Sequence, residues 1–350
     1  MAMRASAPSA NVILAKARAM YGNSLKSQNY LELLNCHSVS EVASYLKNRT
    51  SYAVMLTEIN ETTIHRGHLE MLLRRKLFND YSSLSRYDAT VGMHMSAYII
   101  RRGEIDQIIQ CLRLMNAGRS DEFFFSMPLF FTSQTRLDFM KMGKAKNQAE
   151  LVAALGGTPY AKMISQFPPE NGHIRITEIE NALHTYLTNT LLTIIDDTSG
   201  DLHEQLENLC GTQIDVQNVS RIVRMKRYFG MAPDLIRANL LPSGRCIPEK
   251  TMDKMIDAPT ADEVLRIFYT TRVGKSLPEA QRRFIHDLHH RVPYFNARRH
   301  IHYSIHPMVV LVSYIILMDV ELDDIINIIE GIRYGMPPEE IKPMLVLLDQ

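Results

Sequence analysis

Long apolar runs are missing from this 350-residue sequence. The greasiest stretch, MVVLVSYIILM at 308–318, is 11 residues long, about half of the roughly 20 that a membrane-spanning helix needs. It is expected to be a buried helix instead. The opening MAMRASAPSA lacks the apolar segment of a secretory signal, so a soluble, cytoplasmic chain is the expectation. Cysteine is scarce as well. Cys36, Cys111, Cys210 and Cys246 are widely scattered and form no CxxC pair, which argues against a disulfide scaffold and reads as reduced thiols.

An excess of either charge is also lacking: 39 lysines and arginines face 38 aspartates and glutamates, for a formal charge of +1. A nucleic-acid binder needs a basic excess on some face, so no such partner is expected. Alternating Val-, Ile- and Thr-rich segments are almost absent. Apolar residues instead recur at spacings of three and four through 63–84 and 178–197, which predicts an all-α chain.

A phosphate-binding loop is absent too. Gly274-Lys275-Ser276 has the ending of one, but Tyr269 stands where the loop needs its first glycine, and ADEVLRIFY before it reads as helix rather than strand. The histidines His286, His289, His290, His300, His302 and His306 are close in sequence, yet no HExxH and no cysteine or carboxylate joins them at ligand spacing. HEQLE at 203–207 reads as a surface helix fragment, and no nucleophile-elbow context supports a serine triad. No cofactor, metal, catalytic residue or small-molecule substrate is expected.

What the sequence does contain is an internal repeat. Its copies are residues 31–56, 137–164 and 252–277. Each opens with an apolar residue repeated three later: Leu31 and Leu34, Leu137 and Met140, Met252 and Met255. Each continues with a helix cap three residues before a glutamate: Ser38 and Glu41, Asn147 and Glu150, Thr260 and Glu263. An i, i+4 apolar pair follows, Val42 with Leu46, Leu151 with Leu155, Val264 with Phe268. Then come Thr50, Thr158 and Thr271, and a further helix start. On this alignment the GKS tripeptide is simply the third version of that start, with Lys275 over Lys162 and Val54.

A second pattern trails each copy: amphipathic helices with basic residues near their ends, stopping at Gly118, Gly230 and Gly335. The three glutamates lie 109 and 113 residues apart, so the chain divides into three units of similar size. The expected lobes are 1–118, 119–230 and 231–350, with amino- and carboxy-terminal helices free to interleave.

ILAKARAMYGNSLKSQNYLELLNCHSVSEVASYL, NVSRIVRMKRYFG and IINIIEGIRYGMPPEEI resemble the C subunit of bacterial and archaeal V/A-type rotary ATPases, whose counterpart in the eukaryotic V-ATPase is the d subunit. The resemblance runs from about residue 11 to the end of the chain. It implies a funnel of three similar helical lobes about a pseudo-threefold axis, on the cytoplasmic face of the membrane. Its implied partners are the central-stalk subunits of D/F type and the proteolipid ring, between which it passes torque during ATP-coupled ion transport without chemistry of its own. Arg224, Lys226 and Arg333 match basic positions of the family pattern, and with Arg18 they are the candidate partner contacts. The plain alternative for each is capping or pairing within the chain. The alternative for the whole protein is a free-standing helical scaffold for another cytoplasmic partner.

Overall fold

The computed structural model describes residues 7–57, 59–61, 63–85, 93–127, 131, 132, 134–279, 282 and 288–348. Among them there is no strand, only an isolated bridge between Glu170 and His173. Helix α1 (Ala7–Gly22) leads into the first copy, α2 (Ser27–Leu34), α3 (Val39–Arg49) and α4 (Ala53–Leu56). Two long helices follow, α5 (Arg66–Ser85) and α6 (Met93–Asn116).

After the short α7 (Phe123–Ser126), the second copy forms α8 (Phe139–Lys144), α9 (Gln148–Ala154) and α10 (Pro159–Ser165), followed by α11 (Ile176–Asp196). Helices α12 (Gly200–Leu206) and α13 (Thr212–Phe229) are joined by a π turn at Glu207–Gly211. Then α14 (Pro233–Ala238) precedes the third copy, α15 (Glu249–Asp257), α16 (Ala261–Thr270) and α17 (Arg272–Ser276). The chain ends with α18 (Leu288–Tyr303), α19 (Pro307–Arg333) and α20 (Pro338–Ile341).

The chain divides into two compact units. One holds Met1–Met93, Thr198–Arg237 and Ser243–Gln350; the other holds His94–Asp197 and Ala238–Pro242. In the first, α19 is the central element, packed by α1, α2, α3, α5 and α18. All of Met308–Met318 is buried, as expected of the apolar run, and no described helix is long and apolar enough to cross a membrane. The second unit packs α9 and α11 against α10 around a core that includes Leu151, Ile164, Ile179 and Leu183.

The repeat is visible atom by atom. Ser38, Asn147 and Thr260 each accept a hydrogen bond from the amide of the glutamate three residues on, at 3.1, 2.9 and 3.2 Å. In the first two copies the glutamate reaches back, Glu41 to the amide of His37 and Glu150 to that of Lys146, each at 2.8 Å. These reciprocal bonds satisfy donors that a helix start leaves unpaired. Val42, Leu46, Leu151, Leu155, Val264 and Phe268 are all buried. Thr50, Thr158 and Thr271 donate to the carbonyls of Leu46, Leu155 and Phe268, the second apolar residue of each pair, at 2.6–2.7 Å.

The opening apolar pairs need a correction. Leu31 is 41% exposed and Met140 52% exposed. Leu34 and Leu137 are buried, but the pairs buried in matching positions ahead of the cap are Tyr30 with Leu33 in the first copy and Phe139 with Met142 in the second, while Met255 of the third is buried as expected. Counted back from the capping glutamate, these fall in one common register; the sequence pairs were one and two residues out of phase. A spacing of three fits several apolar residues on a short helix, and only the packed neighbour selects the face.

The helix stops hold as read: Gly118, Gly230 and Gly335 all adopt positive φ, at 69°, 55° and 67°. The Gly-Lys-Ser stretch completes the single turn of α17, which Thr271 caps. Thr271 accepts from the Gly274 amide at 2.9 Å through its hydroxyl and from the Lys275 amide at 3.0 Å through its carbonyl. Two amides that a phosphate would need are thus already engaged. Gly274 is there for space, since a Cβ would lie 2.2 Å from the Phe268 carbonyl oxygen.

Candidate functional site

Each glycine-terminated helix carries a buried carboxylate fourteen or fifteen residues before its glycine, and each carboxylate holds the segment that leads into one copy of the repeat. Glu321 of α19 is 1% exposed. Its Oε2 accepts from the Leu25 amide just ahead of α2, and its Oε1 accepts from the Tyr52 hydroxyl just ahead of α4, both at 2.8 Å. Glu104 of α6 accepts from the Thr135 hydroxyl, just ahead of α8, and from the Tyr160 hydroxyl in α10 at 2.5 Å. Glu104 and Glu321 each stand fourteen residues before the terminating glycine, and Tyr52 and Tyr160 each stand two residues after the repeat threonine. The two joints are therefore equivalent.

The third joint is built differently at the same place. The residue equivalent to the tyrosine is Val273, and the residue fourteen before Gly230 is Val216, both buried. The carboxylate has moved one residue upstream to Asp215 of α13. It accepts from the amides of Gly244, Cys246 and Ile247 at 2.7–2.8 Å, ahead of α15. Backbones meet here: a Cβ on Gly211 would lie 2.1 Å from the Gly244 carbonyl oxygen, and one on Gly244 2.0 Å from that of Gly211. The compensation has a clear cause. A buried tyrosine hydroxyl without an acceptor, or a carboxylate facing valine, leaves an unpaired polar group costing roughly 1–3 kcal/mol or more.

Burial is the largest influence on Glu321 and Asp215 and pushes both carboxyls up from their usual range, against the amides and, for Glu321, the hydroxyl donating to it. Around Glu321 the polar groups continue: Lys76 lies over the Tyr52 ring at 4.9 Å and pairs with Asp80 at 2.7 Å, and the Tyr314 hydroxyl donates to Asp80 at 2.8 Å. Further along α19, Asp324 accepts from the amides of Val346 and Leu347 at 2.8–3.0 Å, and the buried Arg291 of α18 donates to the Leu345 carbonyl at 2.8 Å. Buried polar side chains thus strap the end of the chain to the long helices.

The four candidate contacts have different surroundings. Arg18 donates to the carbonyls of Ile301 and Ser304 at 2.8 and 2.6 Å, closing the end of α18 on α1. Arg333 lies over the Tyr334 ring at 4.9 Å and 3.5 Å from Glu330. Lys226 is half-buried, and desolvation lowers its ammonium pKa against the opposing pull of Asp257. Arg224 is exposed and has no hydrogen bond or ion pair among the described residues.

Of the described histidines, His289 and His290 meet, with ring centroids 4.0 Å apart, and the others lie in separate surroundings. His290 sits 3.5 Å from Asp323, His300 3.5 Å from the Asn208 side chain and His306 2.7 Å from Asp201, while His302 packs on the Tyr21 ring. His286 lies outside the described residues. The joint carboxylates were not singled out from the sequence. Their signal was the equal distance of Glu104 and Glu321 from the glycine stops, which only an alignment of those helices back to their starts exposes.

Three copies on three glycine-stopped helices make a pattern that spans the chain, and one family matches over the same span. The family described as ATP synthase (C/AC39) subunit matches residues 13–344. The chain belongs to that family. It is similar to the C subunit of the A-type ATP synthase of Archaeoglobus fulgidus, 24% identical over 343 residues and 96% of each chain. It is also similar to that of Thermococcus gammatolerans, 21% identical over 338 residues, 95% of this chain and 88% of the relative. That of Desulfurococcus sp. (strain SY) is 23% identical over 341 residues, 94% of this chain and 88% of the relative. The C/AC39 family is one of structural, non-catalytic subunits of a rotary ATPase, and this chain is one of them.

Proposed function

We propose that the chain is the socket that joins the central shaft of a rotary ATPase to its membrane ring of proteolipids. In this reading it sits on the cytoplasmic face, turns with both partners and passes torque between them for ATP-coupled ion transport. The observation that carries the reading is the threefold recurrence of one braced module in a C/AC39 chain. An ion crossing about 100 mV exchanges roughly 2.3 kcal/mol per charge. One buried hydrogen bond to a charged group contributes roughly 1.5–3 kcal/mol, so each of the joints at Glu104, Asp215 and Glu321 is comparable to the load of one ion step. Load applied to a copy reaches closely packed long helices rather than an exposed hinge.

The lobes surround the shaft in this reading, near 1–118, 119–230 and 231–350. Their ends interleave, which the bonds from Glu321 to Leu25 and Tyr52 support. Of the four candidate contacts Arg224 is foremost, because its guanidinium is exposed and uncommitted, whereas Arg18 is engaged by two carbonyls of its own chain. The test is co-elution of the purified full chain with central-stalk subunits of D/F type and with the proteolipid ring. A complex containing all of them is expected; a folded chain that binds neither partner would refute the role.

A further inference from the structure

Two of the three glycine stops present the same side chains to solvent. Phe229-Gly230-Met231-Ala232-Pro233 closes α13 and Tyr334-Gly335-Met336-Pro337-Pro338 closes α19. Phe229 is 68% exposed and Tyr334 69%, and both methionines are half-buried. The Arg333 guanidinium lies over one face of the Tyr334 ring, and Phe229 follows a further exposed aromatic, Tyr228. A single apolar side chain in water is ordinary, but the same kind at the same place in two copies needs a common cause.

The helix stop is not that cause. The remaining stop, Asn116-Ala117-Gly118-Arg119, has alanine where the aromatic stands and arginine where the methionine stands. Its backbone closes in the same manner. The amide after each glycine donates back into its helix, Arg119 to the Leu114 carbonyl at 2.8 Å, Met231 to that of Met225 at 3.3 Å and Met336 to that of Gly331 at 2.9 Å. Alanine therefore suffices for closure, and the rings of Phe229 and Tyr334 are left for contact outside the chain. Both lie at one end of the first unit. Helices α18 and α19 form a hairpin through the turn at 304–306, so they run in opposite directions. Asn208, in the π turn that leads into α13, accepts from the Asn296 side chain at 3.0 Å through its carbonyl and lies 3.5 Å from His300. Helix α13 thus starts beside the end of α18 and packs back along it. It runs the same way as α19, which brings the two aromatic tips to the same end.

A partner that meets both tips with one chemistry has to offer the same site more than once. Of the partners proposed above, the ring is a set of repeated chains, whereas the shaft offers each of its residues once. We infer that Phe229 and Tyr334 are two equivalent contacts that seat the chain on the proteolipid ring, each aromatic side chain entering an equivalent apolar cleft between neighbouring proteolipids. Aromatic and methionine side chains are the types enriched where protein surfaces meet, and Met231 and Met336 behind the rings can conform to the cleft. Two contacts carried by one body hold a ring more tightly than either does alone. The inference rests on the coupling role proposed above and names the residues that meet the ring.

The test uses the full chain with p-benzoylphenylalanine in place of Phe229 or of Tyr334, assembled with purified proteolipid ring and central-stalk subunits and then irradiated. Both positions are expected to cross-link to a proteolipid, and to the same peptide of it, because the ring repeats one surface. Phe229→Ala and Tyr334→Ala install the residue of the remaining stop. Each should weaken binding to the isolated ring about tenfold, the double variant should lose more than either, and the thermal melt and binding to the stalk subunits should be unchanged. Cross-links to a stalk subunit, to lipid, to a second copy of this chain or to two unlike proteolipid peptides would overturn the inference. So would a lowered melt, which would mark the aromatics as structural, or a loss of ring binding confined to one tip. If the wild-type chain binds neither partner, the coupling role falls and this contact with it; if wild type binds the ring and the double variant binds equally well, only the contact falls.

Discussion

Tyr52→Phe and Glu321→Leu probe one joint from its two sides. Removing the tyrosine hydroxyl leaves Glu321 Oε1 without its donor while Leu25 still serves Oε2; a buried hydrogen bond to a carboxylate is worth about 1.5–3 kcal/mol. Removing the carboxylate orphans both the Tyr52 hydroxyl and the Leu25 amide, so Glu321→Leu should cost more, about 3–5 kcal/mol. In the double variant the tyrosine hydroxyl has already gone, so its orphaning is not counted again. The two losses should fall short of additivity by about 1.5–3 kcal/mol.

The assay is native-state hydrogen exchange of the peptide containing the Leu25 amide, which reads the joint locally in a chain of two units that need not unfold together. Protection at Leu25 should fall about 10- to 150-fold in Tyr52→Phe, the same free energy at about 1.4 kcal/mol per factor of ten. The equivalent segment around Thr135 in the other joint should be unchanged. Additive losses within about 0.5 kcal/mol, or unaltered protection at Leu25, would refute the claim that Glu321 couples α19 to the first copy.

Asp324 sets a pH dependence. Burial raises its carboxyl from 3.8 to about 7, against the amides of Val346 and Leu347. Its contribution to stability is therefore fully present below about pH 4 and lost as pH rises through about 7, a change of about 4 kcal/mol. Asp324→Asn should flatten that decline in unfolding titrations between pH 4 and 8; an unchanged slope would count against it. Gly274→Ala forces a Cβ against the Phe268 carbonyl and should destabilise by several kcal/mol, while Lys275→Ala, exposed on the same helix, should stay within about 0.5 kcal/mol in denaturant melts. The reverse order would revive a role for the lysine. Arg224→Ala should leave the melt unchanged yet weaken binding to the rotor partners, measured by titration; equal binding would remove Arg224 from the interface.

Local chemistry was legible in the sequence because it is written within a few residues. The caps Ser38, Asn147 and Thr260, the buried pairs from Val42 to Phe268 and the three glycine stops each depend on spacings inside one or two turns, and each is found as read. Family membership was legible for a related reason: motifs in a fixed order survive where overall identity is only 24%. The opening apolar pairs failed at Leu31 and Met140 because short amphipathic helices admit several faces. The choice among them, Tyr30 over Leu31 and Phe139 over Met140, belongs to the neighbour that covers them.

The sequence by itself determined that the chain is helical, triplicated and punctuated by caps and glycines, since those properties follow from backbone donors and φ angles that local side chains satisfy. Tertiary structure alone decided which helix each copy is bound to. Tyr52 and Glu321 are 269 residues apart, and neither residue's own surroundings in the chain encode the other. What unites them is the cost of burying a carboxylate without partners, a cost that exists only after the helices have packed.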